Sequence, residues 1–309
     1  MEAFTNRTIL IQGAGQGTSG QIRLHVVEAG PEDGPLVVLL HGFPEFSYGW
    51  RKQIGPLAAA GFRVVAPDQR GYGLSDKPRG LDAYNLDLLA GDVVGLIDAL
   101  GRDRAHLVGH DWGGNIAWWV GIKHAERLDR LALLNIPHPT VLRRTLRESL
   151  AQKARSSYAA FFQLPALPEL LLRRRSHALL ARSLVHSSRP GTFTPEDLAV
   201  YRAAWARPGA LTGMLNWYRA AIQRPPARPA SRRVTVPTLL IWGAGDQFLG
   251  REMAQPSIEM CDRGRGRRGG GAGRPRQREG RGQLSASTMI LSAAANATFS
   301  DFFGFTATP

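Results

Sequence analysis

The stretch that most constrains the fold of this chain is GHDWGG, residues 109–114. It follows a short apolar run that is typical of a strand (105–108) and leads into an apolar run that is typical of a helix (115–119). A small–x–x–x–small turn between a strand and a helix presents its central side chain at the end of the strand as a nucleophile. Asp111 occupies that central position. The sequence therefore predicts a sheet strand that ends in a reactive carboxylate.

Strand-like and helix-like segments alternate over residues 1–139. The apolar strand patterns PLVVLL and FRVVAP are separated by the helix pattern SYGWRKQIGPLAAAG, and the helix pattern YNLDLLAGDVVGLIDALG follows them. This alternation predicts an α/β fold with a mostly parallel sheet and helices on both faces. Residues 15–20 spell the dinucleotide-binding pattern GxGxxG, but the residues after them alternate like a strand. We therefore interpret them as a hairpin turn and expect no dinucleotide.

The alternation stops near Pro139. Residues 140–229 show helical patterns broken by Pro and Gly, and strand character resumes in VTVPTLLIWGAGD. A helical insertion between two strands of one sheet lies over the carboxyl edge of the sheet, where ligands bind in open α/β folds. We predict a core formed by residues 1–139 and 230–262, covered by a helical lid (cap) formed by residues 140–229.

The tail from residue 263 onward differs in composition from the rest of the chain. Residues 263–282 contain eight Arg and eight Gly and no aliphatic side chain larger than Ala. Such a segment cannot bury enough apolar surface to fold, so residues 263–309 are predicted to be a disordered tail. The tail contributes +6 to the formal net charge of +14, because it contains eight Arg and only two acidic residues, Glu279 and Asp301. The remaining +8 lies on stretches such as LLRRRSH, which are typical of solvated helix faces.

A carboxylate in the nucleophile position points to attack on a saturated carbon. The product is an ester of Asp111, which water then hydrolyses in a second step. The second step develops an oxyanion on the enzyme's own carboxyl group, and main-chain N–H groups must stabilise it. Trp112, the residue after the nucleophile, supplies one donor, and the HGFP loop after the third strand supplies the other. Phe43 is the predicted donor in that loop.

HGFP, DQRGYGLSD and GHDWGG together resemble the α/β-hydrolase superfamily over residues 5–262. Within it, the chain is similar to the epoxide hydrolases and haloalkane dehalogenases, which share the Asp nucleophile. The resemblance to epoxide hydrolases implies two ring-opening acids in the lid, which SYAAFFQLP and LNWYR carry as Tyr158 and Tyr218. A Tyr hydroxyl is protonated at neutral pH and can donate to the opening oxygen. The resemblance also implies that Asp246 orients a catalytic His.

The predicted function is hydrolysis of an epoxide to a vicinal diol. The alternative enzyme is a haloalkane dehalogenase, which needs N–H donors around the departing halide. The indole of Trp112 is one such donor, and Trp205 or Trp217 is the candidate for the second. The two Tyr motifs favour the epoxide, and diol formation versus halide release separates the two reactions.

The catalytic base is the one part of the machinery that the sequence lacks. In this superfamily the chain order is nucleophile, acid, His. None of the eight His follows Asp246. His41 and His110 belong to the oxyanion-loop and elbow motifs, and His138 is the least implausible substitute. We therefore expect the activity of the chain as written to be impaired.

Two hypotheses account for the tail. Arg, Gly, Ala and Pro without Lys are the residues that GC-rich codons give when read out of frame, so a frameshift near residue 263 is one explanation. The other is a genuine Arg/Gly segment that binds RNA through residues 263–282. The corresponding non-enzymatic alternatives are an inactive hydrolase fold that binds apolar ligands and an Arg/Gly-tailed RNA binder.

The expected partner is a small apolar epoxide or haloalkane, with no cofactor and no metal. We expect no membrane partner, because no apolar run reaches 18 residues and no signal peptide is evident. Nucleic acid is expected only through residues 263–282. Cys261 is the only cysteine, so no intrachain disulfide can form and a cytoplasmic location is the simple interpretation.

Overall fold

A mixed sheet forms the centre of this computed structural model, which describes residues 4–12, 20–243, 245–269 and 302–303. Within those residues the sheet has eight strands in the order β1-β2-β4-β3-β5-β6-β7-β8. The strands are β1 (Thr5–Gln12), β2 (Gln21–Ala29), β3 (Leu36–Leu40), β4 (Arg63–Pro67), β5 (Ala105–His110), β6 (Leu128–Leu134), β7 (Thr238–Gly243) and β8 (Gly264–Gly269).

The strand directions confirm the mostly parallel sheet that the sequence predicts. β1 pairs with β2 and β2 with β4 in antiparallel fashion, whereas every neighbouring pair from β4 through β8 is parallel. Because Gln12 pairs with Gln21, β1 and β2 form the predicted hairpin. Its turn, residues 13–19, lies outside the described residues. The side chains of β3, β5 and β7 are buried throughout, as expected for strands covered on both faces.

Helices cover both faces of the sheet. One face packs mainly against α2 (Leu86–Ala99) and α3 (Asp111–Lys123), and α10 (Ala254–Ile258) lies beside β7 and β8. The other face packs against α1 (Ile54–Ala59) and Phe303. Each face is a continuous cluster of buried apolar side chains, so the sheet separates two cores.

Six helices lie between β6 and β7, in the region predicted as the lid. They are α4 (Pro139–Glu148), α5 (Leu150–Arg155), α6 (Ser157–Phe161), α7 (Leu167–His186), α8 (Pro195–Trp205) and α9 (Ala210–Gln223). We call them the helical insertion. The insertion is fixed over the carboxyl edge of the sheet by indole hydrogen bonds, from Trp205 Nε1 to the Pro44 carbonyl at 2.7 Å and from Trp217 Nε1 to the Arg70 carbonyl at 3.0 Å.

The start of the Arg/Gly segment corrects the sequence prediction. Residues 264–269 form β8, a parallel neighbour of β7, so the prediction of disorder is wrong for these six residues. Parallel pairing uses main-chain groups, which GRGRRG offers as well as any other sequence. Two of its glycines, Gly264 and Gly266, lie against Ile258 of α10. The strand therefore packs against α10 at these positions without side chains of its own. The tail beyond residue 269, apart from residues 302–303, lies outside the described residues.

Candidate active site

The turn after β5 presents Asp111 at the carboxyl edge of the sheet. Asp111 is the first residue of α3 and has a φ of +50°, a left-handed conformation that costs free energy for a residue with a Cβ. The turn is possible because Gly113 lets the first turn of α3 lie directly on β3. A Cβ on Gly113 would come within 2.4 Å of the Leu40 carbonyl oxygen. The sequence GHDWGG therefore folds as a tight elbow.

Two main-chain N–H groups bind the Asp111 carboxylate. The Phe43 N–H donates to Asp111 Oδ1 at 2.9 Å, and the Trp112 N–H also donates to this carboxylate. The loop after β3 reaches Asp111 because Gly42 has no side chain, since a Cβ there would lie 2.4 Å from the Cβ of Asp111. The two donors that the sequence predicts for the oxyanion hole are thus both in contact with the candidate nucleophile.

The Asp111 carboxyl group is half-buried, and its protonation reflects three opposing influences. Burial raises its pKa to about 6, from the usual value of 3.8. Hydrogen bonds from the N–H groups of Phe43 and Trp112 lower the pKa, and the negative charge of Asp246 raises it. The group is therefore ionised at neutral pH and becomes protonated in mildly acidic solution.

Asp246 lies in the loop after β7, at the same edge of the sheet. Its Oδ1 accepts hydrogen bonds from the N–H groups of Phe248 and Leu249, both at 2.8 Å. Its Oδ2 accepts a hydrogen bond from the amide of Asn135 at 2.5 Å. Burial raises the pKa of Asp246, while Asn135 and the two N–H groups lower it. Within the residues that the structure describes, Asp246 makes no hydrogen bond to a histidine.

Asn135 is a site residue that the sequence reasoning did not single out. It follows β6 directly and has a left-handed φ of +49°. Its side chain joins two strand ends, because Nδ2 donates to Asp246 and Oδ1 accepts from the Gly243 N–H at 2.9 Å. The available signal was its position, since polar residues at the carboxyl ends of neighbouring parallel strands meet at one edge.

The two tyrosines of the insertion face each other above Asp111. Tyr158 of α6 and Tyr218 of α9 have ring centroids 5.9 Å apart, with their rings nearly perpendicular. Burial raises the pKa of both hydroxyls, and the negative charge of Asp111 raises them further. Both hydroxyls are therefore protonated at neutral pH and available as proton donors.

One cavity of about 220 Å³ brings these groups together. Its walls are mainly apolar, and its polar lining includes Asp111, Asp246, Asn135, Tyr158 and Tyr218. The apolar lining comes largely from the HGFP loop, α7 and the loop after β7, and it includes Phe43, Pro44, Phe162, Leu172, Leu179, Leu180, Leu184, Phe248 and Leu249. Polar groups that converge in a mainly apolar cavity are typical of a small-molecule site. No group of metal-ligating side chains is found in the part of the chain that the structure describes.

The tryptophans proposed for halide binding are occupied elsewhere. The indole N–H groups of Trp205 and Trp217 donate to the carbonyls of Pro44 and Arg70, and neither side chain lines the cavity. The Trp112 side chain is hydrogen-bonded to Tyr218. The second halide donor that the dehalogenase interpretation requires is therefore not supplied by either candidate.

Both ring nitrogens of His138 have hydrogen-bond partners, which argues against His138 as a substitute for the catalytic base. Its Nε2 lies 2.9 Å from the Arg232 carbonyl, and its Nδ1 accepts the Thr140 N–H at 3.2 Å as the cap of α4. His110 does line the cavity, but burial lowers its pKa to about 3 and keeps its ring neutral. Its nearest acidic partner is Glu45, with Nδ1 and Oε2 3.7 Å apart.

Comparison with known proteins agrees with this geometry. The family described as alpha/beta hydrolase fold matches residues 35–273. The chain is 50% identical over 243 residues to the AB hydrolase superfamily protein YfhM of Bacillus subtilis (strain 168), which covers 79% of this chain and 85% of that protein. It is 40% identical over 239 residues to Epoxide hydrolase 4 of Mus musculus, covering 76% of this chain and 66% of that protein. The chain thus spans just under two thirds of the mouse relative.

A solved structure is similar along nearly its whole length. The chain matches the epoxide hydrolase of Bacillus megaterium, solved in complex with an inhibitor, with a TM-score of 0.80 and 28% identity. The match covers 96% of this chain and 99% of that chain. The similarity therefore extends over the sheet and the helical insertion together.

Proposed function

Because the chain belongs to the alpha/beta hydrolase fold family and is an epoxide hydrolase-like hydrolase, we propose that it opens small apolar epoxides with Asp111 as the nucleophile. The observation that carries the proposal is the arrangement of Tyr158 and Tyr218, whose buried, protonated hydroxyls share the cavity with the ionised Asp111 carboxylate. An acid and a nucleophile on two sides of one apolar cavity are what epoxide opening requires.

In the first step, an oxygen of Asp111 attacks one epoxide carbon. A new C–O ester bond forms as the bond between that carbon and the ring oxygen breaks. The ring oxygen takes a proton from the Tyr158–Tyr218 pair, so the leaving group departs as a hydroxyl and not as an alkoxide. The phenolate left behind recovers its proton from water.

In the second step, water attacks the carbonyl carbon of the Asp111 ester and gives up a proton as the new C–O bond forms. The resulting oxyanion then collapses, which breaks the bond between the carbonyl carbon and the substrate oxygen. That oxygen takes up the proton and leaves as the second hydroxyl of the diol, while the Asp111 carboxyl group ionises again and its proton neutralises the hydroxide left by the first step. The oxyanion forms on the aspartyl group itself, where the N–H groups of Phe43 and Trp112 already donate. The step also needs a base for the attacking water. Asp246 is positioned to orient a catalytic base, but no His follows Asp246 in the sequence. We propose that the second step is the slow one and that the ester accumulates.

The test is intact-mass analysis of the purified chain after incubation with a terminal aryl epoxide. The expected result is a mass increase equal to one epoxide per chain, together with diol in amounts comparable to the protein. Asp111→Asn is the matched control and is expected to show no mass increase. Neither adduct nor diol from the unmodified chain would overturn the proposal. Diol at many turnovers would retain the function and refute the slow second step.

A further inference from the structure

The positive charge of the molecule is concentrated in the helical insertion. Residues 140–229 contain 15 Lys and Arg against four Asp and Glu, a net charge of +11. Residues 1–139 and 230–262 contain 16 basic and 19 acidic side chains, a net charge of −3. The remaining +6 lies on residues 263–309. The helical insertion is therefore the most cationic of the three regions, and it lies above the carboxyl edge of the sheet. Surfaces of this kind attract anionic partners.

The same region exposes most of the large apolar side chains. Among the described residues, twelve large apolar side chains are exposed, and eight of them lie in residues 140–229. The eight are Leu150, Leu164, Leu167, Leu170, Leu179, Val185, Val200 and Ile222. All eight are aliphatic. Apolar side chains clustered within one exposed region are typical of an interaction surface.

Helix α7 carries both kinds of exposed side chain. Before its kink at residues 174–177, the exposed face carries Leu167, Leu170 and Arg173 at intervals of three. After the kink it carries Leu179, Arg182 and Val185 at the same interval, while Leu180 and Leu184 are buried beneath. Residues three apart in a helix lie on one face, so each of the two helical segments exposes its own row of aliphatic and Arg side chains. We call these six exposed side chains the α7 face.

The α7 face borders the opening of the active-site cavity. Leu179 is half-exposed, at 51%, and also lines the cavity that holds Asp111. Leu180 and Leu184, on the inner side of the same helix, line the cavity as well. Apolar side chains of α7 therefore reach from the α7 face into the cavity that holds Asp111.

We propose that the α7 face docks the protein on an anionic lipid bilayer. Its Leu and Val side chains enter the acyl boundary, and its guanidinium groups bind lipid phosphates and other anionic headgroups. Docking does not require a membrane span, and none of the helices in the described residues is long and apolar enough to cross a bilayer. The proposal thus revises the expectation of no membrane partner. Entry of an apolar epoxide from the bilayer would follow, and this consequence alone rests on the proposed function.

The chemistry of the α7 face favours lipid over nucleic acid. Sequence-tolerant binding of single-stranded RNA relies on exposed aromatic rings that stack on bases. The exposed apolar side chains of the α7 face are Leu and Val, which insert among acyl chains but do not stack. Exposed Leu and Val side chains beside Arg offer a lipid surface both apolar insertion and electrostatic attraction to anionic headgroups.

The test is co-sedimentation of the full chain with vesicles of phosphatidylcholine, with or without phosphatidylserine. Binding is expected only with phosphatidylserine and is expected to weaken as salt is added. Arg173→Glu/Arg182→Glu should weaken binding by roughly tenfold or more. Leu170→Ser/Val185→Ser should also weaken it, while ester formation with a water-soluble epoxide stays unchanged. The control Arg102→Glu/Arg104→Glu makes the same charge change before β5, at the opposite edge of the sheet, and should bind like the unmodified chain.

Three results would overturn the proposal. The first is no binding of the unmodified chain to either vesicle. The second is equal binding by the α7 variants and the control, which would assign the attraction to the Arg-rich tail. The third is tight binding to single-stranded RNA that Arg173→Glu/Arg182→Glu removes and Leu170→Ser/Val185→Ser leaves intact, which would assign the surface to nucleic acid. Since each readout is binding, failure here leaves the test of the proposed function untouched.

Discussion

The main-chain N–H of Phe43 donates to Oδ1 of Asp111 at 2.9 Å, although the two residues lie 68 positions apart in the chain. The contact joins the loop after β3 to the elbow after β5, and these strands are neighbours in the sheet. The donor therefore already touches the carboxyl group on which the proposed oxyanion forms. A hydrogen bond that is in place before the reaction needs no reorganisation when the charge develops.

Replacing Asp111 by Asn should abolish both the covalent adduct and diol formation. The amide oxygen of Asn still accepts the Phe43 N–H, so the elbow should keep its structure. The amide is not nucleophilic at a saturated carbon, and the first step is lost. Intact-mass analysis and diol chromatography measure the two outcomes. An adduct on the Asn variant would show that the nucleophile is another residue.

Ester formation should depend on pH with a midpoint near 6. Burial raises the pKa of Asp111 to about 6, and only the ionised carboxylate attacks. Below the midpoint the rate constant should fall by about tenfold for each pH unit. Single-turnover reactions that are quenched and analysed by mass measure this rate. A rate that stays constant through mildly acidic pH would contradict the assignment of Asp111.

The same raised pKa predicts that Asp111→Asn stabilises the fold at neutral pH. The folded-state pKa, about 6, lies above the usual 3.8, so the folded protein binds more protons than the unfolded chain between these values. Stability is therefore lost as the pH rises through this range, because the half-buried group must ionise. The Asn variant avoids that cost and should gain on the order of 2–3 kcal/mol at neutral pH. Urea unfolding should show this gain at neutral pH and little gain near pH 4.

Asp246→Asn should shift the pH midpoint of ester formation to lower values. The negative charge of Asp246 raises the pKa of Asp111, and the Asn side chain removes that charge. Its amide oxygen can still accept the N–H groups of Phe248 and Leu249. Because no His follows position 246, the variant should also hydrolyse the ester no more slowly than the unmodified chain. An additional large loss of diol formation would indicate that a base acts through Asp246 in this chain.

The sequence was most informative where local chemistry determines structure. The glycines around Asp111 predicted a tight elbow, and the structure shows why they are needed, since a Cβ on Gly113 would strike Leu40. The parallel sheet and the N-terminal hairpin were likewise predictable from periodicity and turn residues.

Features that depend on distant partners were not predictable. The sequence offered Trp205 or Trp217 as a candidate halide donor, but carbonyls 161 and 147 positions away accept their indole hydrogen bonds. Residues 264–269 lack strand propensity, yet pairing with β7 makes them a strand. Asn135 joins two strand ends through contacts 111 and 108 positions away. In each case tertiary contacts override what the local sequence indicates.

Removing the tyrosine hydroxyls should slow the first step in a graded way. Tyr158 and Tyr218 line the same cavity with their rings 5.9 Å apart, so one hydroxyl remains near the opening oxygen when the other is lost. Tyr158→Phe or Tyr218→Phe alone should therefore slow ester formation less than the double variant, for which a loss of roughly 10²–10⁴-fold is expected.

Tyr84→Phe is the matched control for the tyrosine variants. Its hydroxyl donates to the Pro78 carbonyl, and its side chain does not line the cavity, so the rate of ester formation should not change. Single-turnover mass analysis at saturating epoxide separates the chemical step from binding. If the double variant forms ester at the rate of the unmodified chain, the ring oxygen takes its proton from another group. Loss of ester formation in the double variant, with full activity in the control, would assign the acid to the Tyr158–Tyr218 pair.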